Sequence, residues 1–185
     1  MNRLLPGLRF TASLLFALLF FALQARAQEM PTETRPGAYI AIGGSYSRYN
    51  AAYGHNTLGG IAGYIDGNIS TNLGAEAEER WLFLHQAANV TERTDLIGPR
   101  ITIVDWHAFV PYAKVLIGMG HFNFPYNYGT GNYFVVAPGA GLDLHFGKHI
   151  CVRAIDFEYQ SWPQFTYGAI RPYGYSMGVS YRISR

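Results

Sequence analysis

"YGYSMGVSYRISR" (173–185) places a bulky side chain at every second position: Tyr173, Tyr175, Met177, Val179, Tyr181 and Ile183. Between them stand Gly174, Ser176, Gly178, Ser180 and Arg182. Period two is the repeat of a β-strand, whose successive side chains point to opposite faces. This strand has one broad apolar face and one face with little side chain at all. In a soluble sheet the face away from the core carries polar, water-binding groups. Glycine and serine make a poor water-facing surface, but they leave room in a narrow interior.

The same alternation recurs upstream and predicts strands over 38–49, 58–67, 72–84, 95–103, 110–122, 132–146 and 150–162, with 173–185 as the eighth. No comparable amphipathic helix pattern interrupts them. The connections "NIST", "VDWHAF" and "GKH" are short, whereas "NAAYGHNT", "HQAANVTERT", "NFPYNYGTG" and "PQFTYGAI" are longer. Alternating short and long connections in an up-and-down β chain is the pattern of an outer-membrane barrel, with periplasmic turns and extracellular loops. The expected fold is an all-β, eight-stranded antiparallel transmembrane barrel over 37–185.

Volume separates this from a soluble barrel. Eight strands enclose an interior just wide enough to be filled by side chains. Turning three tyrosines, a methionine, a valine and an isoleucine of one strand inward would overfill it. With the bulky flank toward lipid, the small flank leaves space for the chain's few charges.

Composition agrees. Charged residues make up 14% of the chain, against about 25% in soluble domains. Aromatics reach 16%, and there are 21 glycines. The start of the chain reads as a secretory signal over 1–27: Arg3 and Arg9, the apolar run from Phe10 to Leu23, then Ala25-Arg26-Ala27 as an A-x-A cleavage site. That run is shorter than the about 20 residues a spanning helix needs. Residues 28–36 form a short periplasmic lead-in. Losing Arg3, Arg9 and Arg26 turns the formal +2 into a slight acid excess, so nothing points to nucleic acid. Cys151 stands alone, excluding an intramolecular disulfide, and is expected to pack as a small hydrophobe.

Parity locates the charges. Glu76, Glu78 and Arg80 share a face with Gly74; Arg100 goes with Gly98, Lys114 with Gly118, and Asp143 with Gly141. Asp156 and Glu158 lie opposite Ile155 and Phe157. These eight form the expected interior network, or gate, because a lipid-facing Arg or Lys at the midplane costs about 2–4 kcal/mol. Glu79 and Arg153 fall on the outer parity, which requires an interface position or a bulge. Tyr49, Trp81, Tyr112, Trp162, Tyr173 and Tyr181 lie near strand ends and are expected to anchor at the membrane interfaces.

With "LGAEAEERWL" (73–82), "DFEYQSW" (156–162) and "SMGVSYRI" (176–183) in view, the chain resembles the small OmpA-like and OmpX-like outer-membrane barrel proteins. The resemblance implies an exported, outer-membrane protein with a structural or surface-interaction role; a peptidoglycan-binding role is not implied. It also implies recognition by the barrel-assembly machinery through Ser176, Gly178, Tyr181 and Ile183. The family usually ends on an aromatic residue, whereas this chain runs on to Ser184-Arg185.

Three function classes follow. The first is a surface-interaction barrel acting through its four loops: "NFPYNYGTGNYF" and "HNTLGG" suit adaptable polar contacts with a surface ligand. The alternative is a narrow gated pore lined by the interior charges. The least favoured is a lipid-modifying enzyme, for which a nucleophile with a base in reach is required. His55, His85 and His121 lie near the outer rim and His107 and His149 in turns, in no catalytic or compact metal-binding spacing. A monomer without cofactor, metal or catalysis is expected, with lipid as its main partner.

Overall fold

In the computed structural model, Tyr173, Tyr175, Met177, Val179, Tyr181 and Ile183 are 44% to 56% exposed, while Gly174, Ser176 and Ser180 are buried. The bulky flank of the last strand therefore faces outward. The structure describes residues 39–52, 57–85, 89–106, 108–166 and 168–184. The expected signal segment, the lead-in, His55 and His107 lie outside the described residues.

The strands are β1 (Tyr39–Asn50), β2 (Thr57–Asn68), β3 (Leu73–Leu84), β4 (Thr91–Thr102), β5 (Phe109–Asn123), β6 (Thr130–Phe146), β7 (Ile150–Tyr159) and β8 (Tyr173–Ser184). Each pairs with the next in antiparallel fashion, and β8 closes on β1 from Tyr39↔Ser184 to Asn50↔Tyr173. Closure leaves the sheet without an edge strand.

Outside, the wall is apolar, with Ile42, Ile65, Ile97, Ile117, Ile155 and Val179 all about half exposed. At one end this belt finishes on Trp106, Phe109, Phe146 and Tyr181. Toward the other end it gives way to outward Arg48, Glu79, Arg93, Asp95 and His121. The connections at that second end, here the loop end, are 51–56, 85–90, 124–129 and 160–172.

Several expectations are corrected. The loops after β3 and β5 are shorter than the sequence indicates, because β4 opens at Thr91 and β6 at Thr130. Glu92 thereby becomes an inward strand residue, paired across to Leu82 and Phe122. Tyr49, Tyr112 and Trp162 are not interface anchors: each is fully buried inside the barrel. Tyr49 is in phase with inward Ser45 and Ser47, Tyr112 with inward Lys114, and β7 ends before Trp162, whose segment turns back into the lumen. Trp81 is half-buried on the outer wall, and Tyr173 and Tyr181 point outward.

Arg153 also lies inside. The β6–β7 ladder pairs Leu142 with Ile155 and Asp143 with Arg153, leaving Ala154 as an extra residue. The β7–β8 ladder shifts at the same place. A bulge adds one residue to one strand and reverses the facing of everything beyond it. Glu79 does face outward, paired with Arg93 at 2.5 Å.

Candidate functional site

The lumen is filled in two layers. At the loop end, Tyr49, Leu58, Leu82, Phe122, Tyr133, Trp162 and Phe165 belong to one buried apolar cluster. Trp162 and Phe165 come from the β7–β8 connection, which folds into the barrel mouth as a plug. Trp162 packs edge-on to Phe122 at 6.4 Å and lies 6.0 Å from Tyr133. Its indole rests where a side chain at residue 120 would stand, so Gly120 on β5 is required by close approach. Gly174 likewise makes room for the Tyr49 ring.

Beneath the plug lies the ionic layer. Lys114 Nζ sits 2.7 Å from Glu76 Oε1 and 2.7 Å from Asp156 Oδ2, with Glu158 at 3.4 Å and Glu78 at 3.7 Å. Arg153 reaches Glu76 at 2.9 Å and Asp66 at 3.0 Å. Arg100 contacts Asp66 at 2.7 Å and also pairs with Asp143. Arg80 donates to Glu158 at 2.8 Å and pairs with Glu78. Three guanidinium groups also lie over aromatic rings: Arg80 over Tyr49 at 4.3 Å, Arg100 over Tyr112 at 3.7 Å, and Arg153 over Tyr64 at 3.7 Å.

The layers are tied together. Trp162 Nε1 donates to Gln160 Oε1 at 2.8 Å, and Gln160 Nε2 donates to Glu158 Oε1 at 2.9 Å. Tyr49 donates to the same carboxylate oxygen at 3.2 Å. Moving the plug therefore disturbs the partners of Arg80.

All eight residues of the expected interior network are buried and brought into one connected layer. Sequence parity missed Asp66, Glu92 and Arg153. Asp66 shares its face with Ala62 and Tyr64, a signal present in the pattern of β2. Glu92 falls in the stretch 85–94, whose composition reads as loop, and placing Arg153 requires the bulge. Of the residues expected to guide assembly, Ser176 is buried, Gly178 is half-buried, and Tyr181 and Ile183 are outward.

Among the described residues, Glu76, Glu78 and Asp156 form the one cluster of metal-ligand types, and no histidine joins it. The Lys114 ammonium occupies the centre of that cluster, doing electrostatically what a cation would do. His121 pairs with Asn132 on the outer wall, and His149 stacks on Tyr181. Cys151 is buried.

No protein-family model matches the chain, and no curated protein does. Solved structures match its fold. OprG of Pseudomonas aeruginosa, an outer-membrane protein, is 10% identical with TM-score 0.58, over 82% of this chain and 98% of that one. The N-terminal β-barrel domain of OprF from the same organism is 13% identical with TM-score 0.57, over 80% and 100%. Ail, the attachment invasion locus protein of Yersinia pestis, in complex with the heparin analogue sucrose octasulfate, is 16% identical with TM-score 0.51, over 81% and 100%. Closed by eight antiparallel strands, apolar outside and ionic within, the chain has the barrel fold of the OmpA-like and OmpX-like outer-membrane proteins.

Proposed function

We propose that this chain is an integral outer-membrane barrel with a closed lumen that acts at the cell surface through its loop end, without catalysis. The observation that carries the reading is its inside-out polarity. The wall exposes isoleucine, valine, methionine and aromatic side chains, while Glu76, Arg80, Lys114, Arg153 and Asp156 are buried. In water that arrangement would expose a large apolar patch over the whole wall. In a bilayer it places apolar groups in hydrocarbon and the ions among their own partners.

The closed-lumen reading is supported by the apolar plug stacked on an ionic layer with short pairings. A pore would need a continuous polar path. A surface role is supported by Tyr126 and Tyr128, 74% and 89% exposed on the 124–129 connection. Tyrosine offers a large amphipathic contact at low entropic cost. Ail's complex with a heparin analogue is a precedent for ligand binding by this fold. In this reading residues 1–27 direct export, and Ser176, Gly178, Tyr181 and Ile183 are read by the assembly machinery.

Gel mobility of outer-membrane fractions tests the membrane assignment. The unheated protein should migrate faster than the boiled protein. Equal mobility, with the protein in the soluble periplasmic fraction, would remove the assignment. In planar bilayers the same preparation should show no conductance steps; regular steps would restore the pore.

A further inference from the structure

Among the described residues, ion pairing in the lumen leaves one acid out. Asp66, Glu76, Glu78, Asp143, Asp156 and Glu158 each pair with an arginine or with Lys114. Glu92 is 2% exposed, yet neither of its carboxyl oxygens has a hydrogen bond or a cation among the described residues. Thr94 Oγ1, further along the same inward face of β4, is buried without a hydrogen bond as well.

The plug covers this pair. Across the ladders Glu92 stands between Leu82 and Phe122, and Thr94 between Arg80 and Gly120. Trp162 packs edge-on to Phe122 and takes the side-chain space of Gly120, so its indole lies beside both rows. Phe165 packs on Phe122 at 5.1 Å, and neither plug ring carries a charge. The charges that act on Glu92 are Arg80, from β3, and Glu158, from β7. They are opposite in sign and already joined to each other at 2.8 Å. The phenols of the same cluster are engaged too: Tyr49 donates to Glu158, and Tyr133 shares a hydrogen bond with Thr166 at 2.5 Å. Outward Arg93 follows Glu92 above the apolar belt, so the plug rather than lipid keeps water from this carboxyl.

An ionised carboxylate requires hydrogen-bond donors or a cation, and burying one without them is far less favourable than burying the neutral acid. In the closed mouth Glu92 therefore keeps its proton; with the plug out, water reaches the carboxyl and it ionises. Resting on the closed-lumen reading above, we propose that the plug is a pH-operated lid, shut while Glu92 holds its proton and released when that proton passes to solvent at the loop end. The closed form binds one proton that the open form gives up. By linkage, opening is suppressed in acid and grows as pH rises above the ordinary glutamate value of about 4.3. Release hands the aromatic plug segment to the loop end, the part of the barrel that meets the cell's surroundings.

Chymotrypsin cleavage after Phe165, a residue buried while the plug is in place, reads the open fraction of the full chain folded in detergent micelles. Comparison with Glu92→Gln cancels the protease's own pH profile. Relative to that variant, the wild-type rate should rise about tenfold per pH unit between about pH 6 and about pH 8, the slope of one released proton. Glu92→Leu should stay closed like Glu92→Gln and serves the same comparison if the glutamine variant does not fold. Parallel profiles for the wild type and the variants would overturn the proposal, as would a relative rate that rises in acid. A rate set by sodium or calcium concentration at fixed pH would overturn it too, with a bound cation in place of the proton. Bilayer conductance separates the two readings: regular steps at every pH refute the closed lumen, while parallel profiles in a silent barrel refute the lid alone.

Discussion

Glu76→Ala should lower the unfolding free energy of the membrane-inserted barrel by about 3–5 kcal/mol, read as a fall in the urea midpoint of vesicle-bound protein. Glu76 is fully buried and shared by three cations: Lys114 at 2.7 Å, Arg153 at 2.9 Å and Arg100 at 3.5 Å. Its removal leaves Lys114 leaning on Asp156, and Arg153 and Arg100 competing for Asp66. A buried ion pair adds little net stability when formed, because desolvation offsets attraction, but deleting one partner strands the other charge. Glu79→Ala is the control. Its pair with Arg93 is partly exposed on the outer wall, so the change should stay within about 1 kcal/mol. Equal effects from the two substitutions would mean that the inner layer is hydrated and loosely paired.

Trp162→Ala should cost about 3–5 kcal/mol by the same titration and make the 160–172 connection susceptible to protease in the native state. The indole is fully buried and packs against the rings of Phe122, Tyr133 and Phe165, so its removal opens a cavity among them. The variant should still show no conductance, since the ionic layer beneath remains. Trp162→Phe separates packing from hydrogen bonding: it keeps a ring but leaves the Gln160 carbonyl without its donor, costing about 1–3 kcal/mol. If Trp162→Ala unfolds at the wild-type midpoint, the plug contributes nothing to the barrel.

Strand existence and facing were legible wherever the alternation ran unbroken. Glu76, Glu78 and Arg80 could be placed because Gly74 precedes them in phase and Trp81 stands out of phase. Tyr49 was legible by the same rule, from Ser45 and Ser47, but its position near a strand end favoured the wrong partner, the membrane interface. Glu92 was missed because nothing local distinguishes a polar strand end from a loop. Its pairing is decided by Phe122, on another strand.

By itself, the sequence determined the number of strands, the apolar flank of each and most of the charges turned away from lipid, because a period of two is a local property of the chain. Only the tertiary structure decided that Arg153 is inside, since the bulge at Ala154 is set by register against β6 and β8. It alone decided that Trp162 closes the mouth, since the space it fills is left by Gly120 on a distant strand. Local alternation says which way a side chain points; only the closed wall says what it meets there.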